Sequence, residues 1–172
     1  VSHARGMAHA AAVHGTAPSI ISTLHPRPLP RACSVSPLHL RTRASCAACT
    51  IGCEHIYALN GDSDNHETGV RLEYENLFAL GPLCGIDDSE VVLQASEKCD
   101  QLGIDTISAG GTIAFAMECV QRGLWDPTWL RFGDGQALLQ AIDMIGTGDG
   151  VGRHLAEGSR RLANHIGQNS IE

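Results

Sequence analysis

The sequence has few aromatic residues and no long apolar run. Aromatic residues make up 4% of the 172 residues, so the core must consist mainly of Ala, Leu, Ile and Val. No stretch of about 18 apolar residues is present, and we therefore expect no bilayer-spanning segment. The N-terminus has no apolar region ending in a cleavage site, so we predict no signal peptide and a cytoplasmic location.

Basic residues are also scarce. The chain has 12 Lys and Arg against 19 Asp and Glu, for a net charge of −7, and no dense basic block follows residue 45. This charge balance argues against nucleic acid or an anionic membrane surface as the main partner. The composition, with 43% apolar and 18% charged residues, is typical of a folded domain.

Two regions differ in pattern. Residues 1–44 hold five of the nine histidines and most of the prolines, which predicts an irregular N-terminal arm because proline removes a backbone donor. Residues 45–172 form the second region, and from residue 69 onward apolar residues recur at helical spacing. Helix-start and helix-stop residues there predict at least four helices in one layer-like bundle, with 137–145 and 154–165 as the last two amphipathic segments. No alternating strand pattern stands out, so the predicted fold class is mainly α.

The cysteines suggest a metal centre. Seven cysteines, an odd number, occur without a secretion signal, which favours metal or cluster ligation over disulfides. Cys46, Cys49 and Cys53 form a C-x2-C-x3-C run on small residues, and such short spacers let three thiolates converge on one [4Fe–4S] cluster. A zinc site using the nearby His55 and buried free thiols are the alternatives. None of the later cysteines is an obvious fourth ligand.

Two acidic segments are weaker candidates. Asp100 and Asp105 bracket a helix break at Gly103, where carboxylates could accept hydrogen bonds from a polar ligand. The same string is also what a glycine helix stop followed by an N-capping aspartate requires. Glu75 could act as an acid or base if it were buried, but a solvated helix face explains it equally well. His154 and His165 are expected to be ordinary surface or core histidines.

In order along the chain, these segments resemble the aldehyde ferredoxin oxidoreductase family. The similarity covers about residues 45–165, and many moderate motifs occur in the family's order. The matching strings are Ser45-Cys-Ala-Ala-Cys-Thr-Ile-Gly-Cys53, Leu72-Glu-Tyr-Glu75, Leu80-Gly-Pro-Leu-Cys-Gly-Ile-Asp-Asp88, Cys99-Asp-Gln-Leu-Gly-Ile-Asp-Thr-Ile-Ser108, Ala114-Phe-Ala-Met-Glu118, Phe132-Gly-Asp134 and Leu155-Ala-Glu-Gly158.

The resemblance implies an enzyme that oxidises small aldehydes to carboxylic acids and passes electrons through a [4Fe–4S] cluster to ferredoxin. It further implies a tungsten (or molybdenum) bis-pyranopterin cofactor and is compatible with a homo-oligomer. By position, Cys46, Cys49 and Cys53 match the cluster ligands. The family's pterin motif is matched by Asp100, Ile104 and Asp105. Glu75 matches a glutamate proposed to assist proton movement near the metal.

The chain also departs from the family pattern. A distal fourth cysteine, a second pterin motif and the N-terminal β-rich domain are absent, and Thr50 stands where the family commonly has proline. These departures predict an incomplete domain that is inactive alone. The alternatives are a molybdopterin oxidoreductase of another family and a small iron–sulfur or zinc module without catalysis.

Overall fold

A computed structural model describes residues 40–58 and 69–167 of the chain. The predicted irregular arm therefore lies outside the described residues as far as residue 39. Within the described part, no helix combines the length and the apolar character needed to cross a membrane.

A small antiparallel sheet precedes the helices, with its three strands in chain order. The strands are β1 Leu40–Ala44, β2 Glu54–Tyr57 and β3 Val70–Leu72. These strands have no counterpart in the sequence pattern, and the irregular assignment of residues 40–44 was wrong because they form β1. Strands of three to five residues are too short for periodicity to identify them. The predicted boundary between residues 44 and 45 falls at the start of the loop that connects β1 to β2. Ala44 and Glu54, on either side of this loop, are paired.

The helical prediction is confirmed. The six α-helices are α1 Tyr74–Leu80, α2 Ser89–Leu102, α3 Thr106–Gln121, α4 Gly135–Thr147, α5 Gly152–Ala156 and α6 Ser159–Ile166. A short 3-10 helix, Pro82–Cys84, follows α1. The segment predicted as one helix from 154 to 165 is divided into α5 and α6, because Gly158 adopts a φ of 86°, which interrupts the helical backbone.

The three long helices begin in the same way. Asp88, Asp105 and Asp134 are the N-caps of α2, α3 and α4. Each carboxylate accepts a backbone N–H of the first turn, at 2.9, 2.8 and 3.1 Å respectively. An aspartate at this position satisfies one of the donors that a helix start leaves without a partner.

A close helix crossing organises the bundle. α1 packs against α3 where Gly110 meets the backbone of Ala79, and a Cβ at Gly110 would lie 2.4 Å from the Ala79 carbonyl oxygen. The missing side chain therefore sets the approach of these two helices. Ile113 and Met117, on the following turns of α3, are completely buried.

The sheet is attached to the bundle through β3 and α2. Val70 and Leu72 belong to the same buried core as the helices. The hydroxyl of Ser96 in α2 donates to the carbonyl of Arg71 at 3.2 Å. The hairpin that carries the three clustered cysteines is thereby held against the helical layer.

Candidate functional site

The clustered cysteines lie on the nine residues that connect β1 to β2. The backbone N–H of Cys49 donates to the carbonyl of Cys46 at 2.9 Å, which closes a four-residue turn. Ala48 inside this turn has a φ of 61°, and Gly52 has a φ of 58°. Among the described residues, Ala48 is the one non-glycine residue with positive φ. A left-handed conformation costs an L-residue about 1–2 kcal/mol, so the tight wrapping of this loop is maintained against local strain.

The three thiols are accessible and free. Cys46 and Cys53 are exposed, Cys49 is half-buried, and none is in a disulfide. Three thiols on one tightly turned loop are a donor set that suits an iron–sulfur cluster. Within residues 40–58 and 69–167, however, no three His, Cys, Asp or Glu side chains are grouped so that they could hold a metal ion. The residue types and the loop fit a cluster, whereas the side chains are not gathered around one point.

The later cysteines belong to the core. Cys84, Cys99 and Cys119 are buried, and burial raises the pKa of Cys84 and of Cys99 to about 12. The thiol of Cys84 donates to the Ala79 carbonyl at 3.4 Å. These thiols therefore act as small buried side chains that fill the helix interfaces.

His55 follows the cysteine loop but is already engaged. Its Nε2 accepts a hydrogen bond from Nε of Arg43 at 3.0 Å, and its ring stacks near Tyr57 with a centroid separation of 6.2 Å. A lone pair used in this way is not available to a metal. The arrangement does not support a zinc site that uses this nitrogen.

The string from Asp100 to Asp105 forms the turn between α2 and α3. Gly103 has a φ of 66°, its N–H donates to the Asp100 carbonyl, and the N–H of Ile104 donates to the Cys99 carbonyl at 2.8 Å. This bond pattern is a Schellman motif, and the N-cap of α3 at Asp105 follows directly. The interpretation of residues 100–105 as a glycine helix stop followed by an N-capping aspartate is thus confirmed. A ligand role for these residues would be additional to this structural one.

A cavity of about 380 Å³ opens beside this turn. Ile104 and Asp105 line it, together with Ser108 and Thr112 of α3. The α4–α6 region supplies the opposite wall, which consists of Ile145, Gly146, Leu155, Ala156 and Gly158. The lining offers polar and apolar surface in comparable amounts, and the volume lies in the ordinary range of small-molecule sites.

The electrostatics of the turn are unusual. Asp100 occupies the last turn of α2, which contains no basic residue, so its charge faces the negative end of the helix dipole. It takes part in none of the ion pairs of the described residues. Burial first, and then the charges of Asp100 and Asp105, raise the pKa of the Cys99 thiol. Asp100 is exposed and is not among the residues that line the cavity.

Asp105 itself is stabilised as a carboxylate. Hydrogen bonds from the side chain and backbone of Ser108 lower the pKa of Asp105 below its ordinary 3.8. A carboxylate has about four acceptor positions, so the cap leaves it able to accept further hydrogen bonds from a ligand in the cavity.

The structure does not bring Glu75 to this cavity. Glu75 is exposed in the first turn of α1 and is not among the residues that line the recess. Gly110, which meets α1, is two residues from both Ser108 and Thr112, which line the cavity. Two residues correspond to about 200° around a helix, so α1 packs on the side of α3 away from the cavity.

A histidine pair that the sequence does not predict lies in the last two helices. The rings of His154 in α5 and His165 in α6 are stacked with centroids 3.8 Å apart. On one continuous helix, residues eleven apart would share a face but lie about 16 Å apart, so it is the break at Gly158 that brings the two rings together. A second, larger recess of about 570 Å³ lies at the starts of α2 and α4 and contains none of the predicted site residues.

This arrangement of a cysteine loop and a helical layer can be compared with known proteins. The chain matches the family described as aldehyde ferredoxin oxidoreductase, domains 2 & 3, over residues 32–172. It is 40% identical over 130 residues to the tungsten-containing aldehyde ferredoxin oxidoreductase of Pyrococcus furiosus, covering 71% of this chain and 20% of that protein. The corresponding protein of Thermococcus kodakarensis is 38% identical over 130 residues, with the same shares of 71% and 20%.

These matches place the chain in a class of proteins that are named as oxidoreductases. The chain belongs to the aldehyde ferredoxin oxidoreductase family. It spans about a fifth of the length of the curated relatives that it matches.

A solved structure supports the fold. The active site complex BamBC of benzoyl coenzyme A reductase, in complex with 1,5-dienoyl-CoA, superposes with a TM-score of 0.64. The two sequences are 22% identical, and the match covers 77% of this chain and 20% of the reductase chain. At this identity the likeness concerns the fold alone.

Proposed function

We propose that this chain is the cluster-binding and pterin-binding part of an enzyme that oxidises aldehydes to carboxylic acids with ferredoxin as the electron acceptor. The observation that carries the proposal is the 40% identity over 130 residues to a tungsten-containing aldehyde ferredoxin oxidoreductase. In the overall reaction an aldehyde and water become a carboxylic acid, and two electrons and two protons are released. When bound, a [4Fe–4S] cluster would supply one-electron transfer and a tungsten–pterin cofactor the two-electron chemistry.

The hairpin loop would hold the cluster. Cys46, Cys49 and Cys53 supply thiolates from a turn whose backbone is already closed by the Cys49–Cys46 hydrogen bond. The exposure of Cys46 and Cys53 allows an iron–sulfur unit to approach from the solvent side. Because the described cysteines outside the loop are buried, we place the fourth ligand outside the described residues.

The recess beside the α2–α3 turn would hold one edge of a pterin. Asp105 lies on its rim with unused acceptor capacity, and Ile104 supplies an apolar surface for a flat ring. Asp100, which is exposed in the last turn of α2 and does not line the recess, would add a second carboxylate that accepts N–H groups of the ligand.

Glu75 is proposed as a proton carrier for the same reaction. Its carboxylate is exposed here, so this role requires other parts of the full-length protein to enclose it near the metal. Tungsten rather than molybdenum is proposed because both similar relatives are tungsten-containing proteins.

The full-length protein, prepared without oxygen, tests these assignments. Iron, sulfide, tungsten and molybdenum are measured by elemental analysis, and the reduced cluster by electron paramagnetic resonance. Activity is followed as aldehyde-dependent reduction of ferredoxin. Cys53→Ser should lose the cluster signal, whereas Cys119→Ser, at a core thiol, is the matched control that keeps it.

The variants separate the roles. Glu75→Gln should retain both metals and lose turnover, whereas a loss of metal would make Glu75 a binding residue. Protein that holds iron but neither tungsten nor molybdenum would contradict the pterin assignment and leave a cluster-binding module. A wild-type protein that loads both metals and oxidises no aldehyde would contradict the proposed reaction.

A further inference from the structure

Two of the three loop cysteines are positioned to bond to each other. We propose that Cys46 and Cys49 form a disulfide within the loop when no cluster is bound, which makes this turn a redox-sensitive modification site. The disulfide follows from the geometry of the loop. Its effect on cluster loading rests on the proposed function.

The turn brings the two residues close together. The bond from the Cys49 N–H to the Cys46 carbonyl closes a four-residue turn, whose end Cα atoms lie within about 7 Å by definition. A disulfide needs a Cα separation of about 4.4–6.8 Å. The two intervening residues are alanines, and the left-handed Ala48 maintains the tight turn. Both thiols are free, with Cys46 exposed and Cys49 half-buried.

The other cysteines are less suited as partners. The β1–β2 ladder ends at Ala44 and Glu54, so no strand pairing holds Cys46 opposite Cys53. The hydrogen-bonded turn brings Cys49, and not Cys53, to Cys46. The three core thiols are buried and a disulfide oxidant does not reach them.

The chemistry requires a disulfide oxidant, for which glutathione disulfide serves. The Cys46 thiolate attacks one sulfur of glutathione disulfide, forms a mixed disulfide and releases one glutathione thiolate. The Cys49 thiolate then attacks the Cys46 sulfur and releases the second glutathione. Two protein thiols are oxidised, one glutathione disulfide is reduced to two thiols, and two protons leave the protein.

Closing this bond would remove two of the three thiolates that the cluster needs. The loop would then be unable to receive iron until a thiol reductant reopened it. The site is therefore expected to protect the unloaded loop from irreversible oxidation, because a disulfide is reversible and higher sulfur oxides are not.

The chain itself is the test material. It is incubated with glutathione disulfide, quenched in acid, alkylated in denaturant and digested with trypsin. Trypsin releases residues 44–71 as one peptide, since no Lys or Arg lies between Arg43 and Arg71. The expected peptide has lost two hydrogen atoms, with alkylation at Cys53 alone. Fragmentation between positions 49 and 53 identifies the paired cysteines.

Variants make the result specific. Cys53→Ser should still close the loop, whereas Cys49→Ser should stop with one glutathione on Cys46. Cys33→Ser excludes a bond to the N-terminal segment. A Cys46–Cys53 bond, or Cys46 and Cys49 both alkylated in the wild type, would overturn the proposal.

Iron uptake separates this proposal from the function. In the full-length protein, oxidation should abolish reconstitution by iron and sulfide, and dithiothreitol should restore it. A disulfide that forms without reducing iron uptake would contradict the cluster assignment and its regulation, while the bond itself would be established.

Discussion

Replacement of Asp105 separates its structural role from its proposed ligand role. Its carboxylate caps α3 through Ser108 at 2.8 Å and also lines the cavity of about 380 Å³. Asp105→Ala removes both functions. Asp105→Ser retains a hydroxyl that can cap the helix but removes the charge, because serine and aspartate are comparable N-caps. Asp134→Ala is the matched control, since Asp134 caps α4 in the same way and does not line this cavity.

The size of the stability change follows from the cap. Loss of an N-cap costs about 0.5–2 kcal/mol, typically about 1. The unfolding free energy of a small protein falls by about 1–3 kcal/mol for each molar of urea. A mutation that lowers this free energy by about 1 kcal/mol therefore lowers the urea concentration at the unfolding midpoint by about 0.3–1 M. Asp105→Ala and Asp134→Ala should both show a decrease of this size, and Asp105→Ser should remain close to the wild type.

The pH dependence gives a second readout. The pKa of Asp105 is lower in the folded chain than its ordinary 3.8, so its stabilising contribution is complete above that value. It is lost as the pH falls through the lowered pKa, because the unfolded state then binds the proton more readily. The difference in unfolding free energy between wild type and Asp105→Ala should therefore decrease in acid.

Cofactor retention completes the comparison. In the full-length protein, Asp105→Ser should fold normally and hold little tungsten or molybdenum, whereas Asp134→Ala should hold the normal amount despite its lower stability. An unchanged urea midpoint for Asp105→Ala would refute the capping argument. Normal metal content in Asp105→Ser would refute the pterin role of the carboxylate.

Three further predictions concern the core and the thiols. Gly110→Ala should lower the unfolding free energy by about 1–3 kcal/mol in urea titrations, because its Cβ would lie 2.4 Å from a backbone oxygen of α1. Gly111→Ala, whose Cβ meets nothing within 4 Å, should instead raise it by about 0.5–1 kcal/mol, and equal effects at the two sites would contradict the crossing. In timed alkylation followed by mass spectrometry, Cys46 should react in the folded chain and Cys84, with its pKa of about 12, only after unfolding; rapid labelling of Cys84 would show that the bundle opens. Ile113→Ala should lower the unfolding free energy by about 2–5 kcal/mol in the same urea assay, since the Ile113 side chain is fully buried. A smaller loss would mean that neighbouring side chains move into the space left by the substitution.

Local signals in the sequence were sufficient for the helical layer. The residue types of Gly103 and Asp105 predict a helix stop and a helix start, because capping and a left-handed turn depend on residues adjacent in the chain. The cysteine spacing predicts three converging thiolates, whereas in the described residues the three side chains are not grouped around one point. The strands escaped detection because three to five residues show no reliable alternation.

Arrangements between distant residues required the tertiary structure. The motifs predicted a cysteine loop and a carboxylate pair, but the cavity exists only because α4–α6 fold over the α2–α3 turn. The position of Glu75 on the side of α3 away from that cavity follows from the helix crossing at Gly110. The stacked rings of His154 and His165 depend on the bend at Gly158. Sequence determined the local backbone through caps, glycines and periodicity, whereas packing between helices decided which side chains share a surface.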